Sequence, residues 1–283
     1  MPQTTKTPRL DTKLIAVLAV GGLLCAPPAV ADDGAAGGHE AESSSSFSLD
    51  RQATWLFRSF LPDESDDADT VGFEFESSFG IGRYDVKNIA YVELNDYPRA
   101  IPGQPIGNPE PGVEAATGIG DILTGFWFSR KGAHHGAHHL SFGFGAQLPT
   151  ASDDTLGSGK WSIGPSFDYE YENGRLFAGA IAMQIWSVAG DSDRKDVSML
   201  IVKPFVYYTL NDNWDLIYVP YGISVYWDKP SGEKVYLPVG GGAQRKFKFE
   251  SVEMNLGAAL YLNAVRPTKG TKWDLRFILE FQF

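Results

Sequence analysis

The chain has 283 residues, of which 43% are hydrophobic and 13% aromatic, with a formal net charge of −11 and a single cysteine. The acidic excess repels the phosphate backbone of nucleic acids, and one cysteine cannot form the disulfide framework of a small secreted scaffold. No apolar run beyond the N-terminal region approaches the ~20 residues of a membrane helix, so the chain is expected to be soluble or to cross a membrane as strands.

The first 31 residues have the order of features of a secretory signal peptide. Three basic residues precede an apolar stretch at residues 14–26, and the small residues of a cleavage site follow at 29–31. The apolar stretch is too short for a transmembrane anchor, which needs ~20 residues. We therefore expect export of the chain and cleavage after Ala31.

Cleavage at this point would also remove the only cysteine. Leu24 occupies the position before Cys25, where lipoprotein processing requires a small side chain, so a lipid anchor is not expected. The mature chain would lack a thiol nucleophile. Residues 32–50 are rich in Gly, Ala, Ser and acidic side chains and predict a flexible periplasmic lead-in. Residues 51–283 have the length of one barrel domain.

Alternating apolar and polar residues recur along residues 51–283. The period of two occurs at residues 71–76, 140–148, 163–170 and 252–262. Soluble β-sandwiches alternate as well, but the strand length and the small or polar opposite face favour a membrane barrel. Tryptophans near predicted strand ends would form interfacial girdles, at Trp127, Trp186, Trp214, Trp227 and Trp273.

The last segment alternates most clearly. Its apolar face is formed by Leu275, Phe277, Leu279, Phe281 and Phe283. In outer-membrane barrels, an alternating strand closed by a terminal Phe is the segment that the barrel-assembly machinery recognises. We therefore expect Phe283 to be the assembly signal.

The connections between segments predict the topology. Barrels of this class alternate short periplasmic turns with longer outer loops, and counting backwards from the last strand gives about twelve antiparallel strands, the first at residues 51–61. The expected outer loops are 62–70, 95–117, 150–160, 188–196, 228–233 and 264–271, and the expected turns lie near Gly82 and at 131–137, 173–174, 211–213 and 244–251. The sequence does not show which side chains face the lumen in the strands near 176–186, 197–209 and 214–227. The number of strands could therefore differ from twelve by two.

The sequence Gly118-Ile119-Gly120-Asp121 superficially resembles a nucleotide-binding loop. The third glycine of that fingerprint is absent, and alternation resumes at Ile122. A strand kinked at its glycines is the expected structure.

Two clusters suggest metal binding. Four imidazoles at His134, His135, His138 and His139 could meet a divalent ion, but their spacing matches no ordered zinc site and a solvated periplasmic turn is the default interpretation. Acidic and polar residues at 63–74 follow the spacing of a calcium loop, yet Ala68 stands where glycine is required. We expect an acidic outer loop that loosely holds divalent ions of the lipopolysaccharide layer.

Enzymatic function is not expected. An outer-membrane lipid hydrolase needs a histidine beside the outer leaflet to activate a serine. Apart from His39 in the lead-in, every histidine falls on the periplasmic side of the predicted topology. We expect no catalytic residues and no cofactor.

Charged residues on the predicted inner faces are candidates for the lining of the lumen. They are Arg58, Glu74, Glu76, Asp121, Asp168, Glu170, Lys203, Glu253, Arg276 and Glu280. They could pair and fill a narrow interior, or they could line a pathway, since twelve strands leave room for a narrow or gated passage. The acidic excess would favour cations or neutral solutes over anions.

Several stretches resemble the outer-membrane family named for the meta-pathway of phenol degradation. They are residues 118–121, LPTASDDTLGSGKWSIGPSF from Leu148, KPFVYYTLNDNW from Lys203, LPVGGGAQRKFKF from Leu237 and the closing KWDLRFILEFQF. The resemblance implies a transmembrane barrel that helps small hydrophobic or aromatic compounds cross the outer membrane. Tyr207, Tyr221 and Tyr236 are then possible lumen aromatics.

A second function stays open beside transport. The barrel could be structural or could contact other surfaces through its outer loops. The expected partners are outer-membrane lipid, lipopolysaccharide, the barrel-assembly machinery and a small-molecule solute, but no nucleic acid.

Overall fold

A computed structural model describes residues 45–56, 66–97, 115–132, 136–250, 252–268 and 270–282. They form one antiparallel sheet of fourteen strands. The strands are β1 Ser45–Leu56, β2 Asp66–Ile81, β3 Tyr84–Tyr97, β4 Ala116–Ile119, β5 Ile122–Arg130, β6 His138–Leu148, β7 Lys160–Asn173, β8 Leu176–Gly190, β9 Ser198–Asn211, β10 Trp214–Tyr218, β11 Ile223–Tyr226, β12 Val235–Lys248, β13 Glu253–Val265 and β14 Trp273–Gln282. Among these residues no membrane-spanning helix is found.

The sheet closes on itself. Strand β1 pairs with β2 on one side and with β14 on the other, so that Phe47 lies opposite both Phe75 and Phe281. Strands β4 and β5 both pair with β3, while β10 and β11 both lie between β9 and β12. Counted as two interrupted strands, these four give a barrel of twelve wall strands. The predicted all-β barrel and its strand number are confirmed.

The two ends of the barrel differ in their connections. Two-residue turns join β2 to β3, β7 to β8 and β9 to β10, and Gly82 (φ 56°) and Gly174 (φ 60°) supply the positive φ that such turns require. We call this the short-turn end. The opposite, long-loop end carries the connections 149–159, 191–197, 227–234 and 266–272. Short turns and long loops therefore alternate as the sequence predicts.

The first strand lies earlier in the chain than expected. It runs from Ser45 to Leu56 rather than over residues 51–61, so residues 45–50 belong to the wall and not to the lead-in. The alternation at Phe47 and Leu49 continues the pattern toward the N-terminus. This placement pairs the backbone of β1 along its length with two neighbours, which satisfies its N–H and C=O groups.

The outer surface is apolar and the interior is largely polar. Phe142 and Leu262 are 62% and 60% exposed, whereas Ser141 and Asn263 beside them in sequence are 2% and 3% exposed. This distribution is the reverse of a soluble protein and is typical of a wall that faces lipid.

The strands of ambiguous facing enclose an apolar cluster inside the barrel. Met183 and Ile185 of β8 and Met199 and Ile201 of β9 pack with Trp127 of β5 in the interior. Trp186, next to Ile185, is 46% exposed on the outer surface. Both faces of β8 are therefore apolar, which removes the period of two from its sequence.

Candidate functional site

The barrel encloses a cavity of about 670 Å³. Its lining combines charged side chains, chiefly from β2, β3, β7, β12 and β14, with apolar and aromatic side chains from β5, β8 and β9. The cavity is the candidate functional site.

One ion cluster joins three strands around Lys87 of β3. The Lys87 Nζ lies 2.9 Å from Asp168 Oδ2 and 2.6 Å from Glu170 Oε1 on β7, and 3.8 Å from Glu76 Oε1 on β2. Strands β3 and β7 are not neighbours, since β5 and β6 lie between them. The cluster therefore connects β3 to β2 and β7 on the inner side of the barrel wall.

A second ion pair crosses the full width of the lumen. The Lys203 Nζ on β9 donates a hydrogen bond of 2.5 Å to Glu74 Oε2 on β2. The same ammonium lies 4.9 Å from the centre of the Tyr91 ring. At this level the lumen is bridged by side chains.

Aromatic side chains of β8 and β9 line the part of the cavity nearer the short-turn end. Phe177 lies 5.2 Å from Phe205 and 6.0 Å from Tyr207, measured between ring centroids. Trp127 of β5 also lines the cavity, and its indole N–H donates a hydrogen bond of 2.8 Å to Ser166 Oγ. These rings give the cavity a surface that suits apolar or aromatic groups.

The wall is interrupted between β10 and β11, at residues 219–222. Pro220 has no N–H for a ladder hydrogen bond, and it lines the cavity together with Val219. The backbone groups released by the break find partners on β13 and β14: the Val219 N–H donates 2.8 Å to the Tyr261 hydroxyl, and Arg276 donates to the Val219 carbonyl.

A loop at the long-loop end is held by the buried carboxylate of Asp121. The Asp121 Oδ2 accepts hydrogen bonds of 2.8 Å from the Ser158 backbone N–H, the Ser158 hydroxyl and the Gln147 amide, and Oδ1 accepts 3.1 Å from the Ala151 N–H. Leu156 of the same loop is 2% exposed and packs against Tyr97. Loop 149–159 is thus folded onto the barrel.

The glycines before Asp121 permit this approach. A Cβ at Gly118 would lie 2.0 Å from Ser152 Oγ. Strand β4 ends at Ile119, and β5 begins at Ile122. The kinked strand predicted from these glycines is present, and it is what brings the loop to the carboxylate.

The predicted lumen residues occupy three kinds of position. Seven line the cavity: Glu74, Glu76, Glu170, Lys203, Glu253, Arg276 and Glu280. Asp168 is fully buried against Lys87, and Asp121 lies under loop 149–159. Arg58 lies outside the described residues.

Sequence reasoning missed several charged residues of the cavity, among them Lys87, Asp215 and Lys246. Lys246 Nζ lies 2.8 Å from Asp215 Oδ1, near the short-turn end. A signal was available for Lys87, because Lys87, Tyr91 and Glu93 share one face of β3 by the period of two.

The other candidates lie away from the cavity or outside the described residues. His138 Nδ1 is 2.8 Å from the Tyr169 hydroxyl, and within the described part of the chain no group of three His, Cys, Asp or Glu side chains could hold a metal ion. His134, His135 and Phe283 lie outside that part, as do residues 63–65 of the calcium-like segment. Residues 66–74 of that segment belong to strand β2 and not to the outer loop that the sequence predicted.

The three tyrosines proposed for the lumen differ in position. Tyr207 lines the cavity. Tyr221 lies edge-on to Tyr91, with 5.8 Å between ring centroids. Tyr236 is buried at the long-loop end, where its hydroxyl donates 3.0 Å to the Thr271 carbonyl.

Comparisons with known proteins agree with this architecture. Residues 34–277 match the family described as "Putative MetA-pathway of phenol degradation". An outer membrane channel from Pseudomonas putida F1 is similar in structure, with a TM-score of 0.53 and 11% identity over 89% of this chain and 100% of that chain. The P. putida toluene transporter TodX aligns with a TM-score of 0.37 and 10% identity over 86% of this chain and 90% of that chain. A search of curated proteins found no match. The first likeness supports the outer-membrane barrel fold.

Proposed function

The chain belongs to the family described as "Putative MetA-pathway of phenol degradation", and from this premise we propose that it is an outer-membrane channel or transporter for small hydrophobic or aromatic compounds. The observation that carries the proposal is the cavity of about 670 Å³ inside the closed wall. Sites for small molecules have volumes of about 300–1,000 Å³.

The chemistry of the cavity fits such a solute. The rings of Phe177, Phe205 and Tyr207 provide apolar contact, while carboxylates and amides on other strands give the rest of the lining a polar surface. An apolar compound is slowed by the lipopolysaccharide layer, and a passage with aromatic walls offers it a route.

Passage would be gated rather than free. The Lys203–Glu74 pair crosses the lumen, and loop 149–159 is folded onto the long-loop end. A solute would cross only when one or both of these contacts open. We infer a low conductance with discrete openings.

The location of the protein follows from the same proposal. A wall that is apolar outside and polar inside supports insertion into the outer membrane beside lipopolysaccharide. We propose that the signal peptide is removed after Ala31 and that the barrel-assembly machinery recognises the terminal Phe283. No catalytic role is assigned to any residue.

A second candidate is a structural or surface-interaction barrel that acts through its outer loops. It is favoured by the ion pairs inside the wall, which brace neighbouring and opposite strands without requiring any solute.

Single-channel recording of the purified protein in planar bilayers separates the two candidates. Transport predicts discrete current steps, together with faster uptake of toluene or phenol into proteoliposomes than into protein-free liposomes. Silent bilayers, together with unchanged growth of a deletion strain on aromatic carbon sources, would contradict the transport proposal.

A further inference from the structure

The cavity has an excess of negative charge. Seven carboxyl side chains line it, against four basic ones. Lys87, Lys203 and Lys246 are each held in ion pairs with carboxylates. The remaining field favours a cation over an anion inside the barrel.

Lys203 shows how the cavity already holds an ammonium group. Its Nζ is bound by the Glu74 carboxylate at 2.5 Å and lies 4.9 Å from the centre of the Tyr91 ring. A carboxylate and an aromatic face together form the usual environment of a bound ammonium ion. The Lys203 side chain therefore shows that this lumen can accommodate an ammonium group.

The same two features recur toward the short-turn end. Glu280 lines the cavity, and its carboxylate accepts hydrogen bonds from the neutral amides of Asn255 (3.2 Å) and Gln282 (2.9 Å). The rings of Phe205 and Tyr207 line the same cavity. An aromatic body could rest on these rings while a positive charge is held near Glu280.

We propose that the cavity binds protonated organic amines with an aromatic or apolar body. This inference rests on the proposed transport function, because it names the class of solute that the same cavity takes. The ammonium group contacts the Glu280 carboxylate, and the body of the solute lies against the rings of Phe205 and Tyr207.

Equilibrium binding to the purified, folded barrel tests the proposal without requiring transport. Three probes of similar size differ in charge: 2-phenylethylamine hydrochloride, 2-phenylethanol and phenylacetate. Isothermal titration at pH 7, corrected for partition into detergent alone, should give at least about tenfold tighter binding of the amine than of either other probe.

One variant locates the binding. Glu280→Gln removes one charge and keeps the shape, so it should weaken amine binding about three- to tenfold and leave the alcohol unchanged. Asp228→Asn is the matched control, because Asp228 is exposed in loop 227–234 and does not line the cavity. A heat-shifted gel band confirms that each variant is folded.

The outcomes separate this inference from the proposed function. Equal binding of amine and phenylacetate, or amine binding that Glu280→Gln does not change, would overturn the inference even if the bilayers conduct. Selective amine binding that Glu280→Gln weakens would support it even in a silent bilayer, and the silence would then count against transport alone.

Discussion

Lys203 and Glu74 form a 2.5 Å ion pair although they are 129 residues apart in the chain. Strands β9 and β2 are six wall strands apart whichever way the barrel is followed, so the pair spans its diameter. Both side chains are 27% exposed, so water screens the pair only in part.

Breaking this pair should open the lumen. In Lys203→Met the cation is lost and the Glu74 carboxylate keeps its charge without its 2.5 Å partner. We expect a larger single-channel conductance and a loss of stability of about 1–2 kcal/mol, seen as a lower temperature of the heat-shifted gel transition. The exchange variant Glu74→Lys/Lys203→Glu should recover most of both properties. An unchanged conductance in Lys203→Met would show that the pair does not limit passage.

Removing the Asp121 carboxylate should release loop 149–159. Asp121→Ala leaves the Ser158 and Ala151 N–H groups without their acceptor and removes one of the two acceptors of the Gln147 amide. We expect a loss on the order of 3 kcal/mol, because each abandoned buried donor costs about 1–3 kcal/mol unless water reaches it. Limited proteolysis should cut the loop faster. Asp153→Asn is the control, since Asp153 lies in the same loop but its carboxylate accepts the Thr155 N–H instead. Equal cleavage of both variants would mean that Asp121 does not hold the loop.

The break in the wall at residues 219–222 should depend on Tyr261. Its hydroxyl accepts the Val219 N–H at 2.8 Å, and Tyr261→Phe removes this acceptor without changing the ring. We expect a loss of about 1 kcal/mol, measured as earlier thermal unfolding. Tyr208→Phe serves for comparison, because Tyr208 is 43% exposed on the outer surface. If Tyr208→Phe lowered stability as much, the contact at the break would have no special role.

The contact between loops 227–234 and 266–272 should weaken in acid. The Glu233 carboxylate accepts the Thr268 N–H at 2.9 Å and also the Thr268 hydroxyl, and these hydrogen bonds hold the pKa of Glu233 below its ordinary value. A lowered carboxyl pKa contributes stability above the unfolded pKa, and this contribution is lost as the pH falls through the folded pKa. Hydrogen exchange at the Thr268 amide should therefore be slow at neutral pH and lose its protection only below the usual titration range of glutamate. In Glu233→Gln this pH dependence should disappear; if the dependence persisted, it would have another origin.

The sequence predicted the wall better than the interior. The alternation of Leu260 and Leu262 with Tyr261 and Asn263 identifies a lipid-facing strand directly, because one face is apolar and the other is not. The same rule fails for β8, since Ile185 is fully buried inside while Trp186 is exposed outside. Because apolar side chains of β8 also pack inside the lumen, the sequence of β8 shows no period of two.

The contacts across the lumen were beyond sequence reasoning for a different reason. Glu74 and Lys203 each follow the inner-face pattern, but their meeting depends on the number and stagger of the wall strands between them. The position of β1 was missed because its alternation continues on both sides of Arg51, and only pairing with β2 and β14 selects the register.

The pairing of β1 with β14 also constrains how the protein is made. Ser46 lies opposite Gln282 and Trp55 opposite Trp273, so the seam joins the earliest and latest wall strands of the chain. Until the final strand has been delivered, every intermediate is an open sheet with two bare edges. Such edges readily pair with other chains, and contacts so distant in sequence form slowly. The wall therefore cannot close before β14 pairs with β1, and until then the edge of β1 stays open to pairing with other chains.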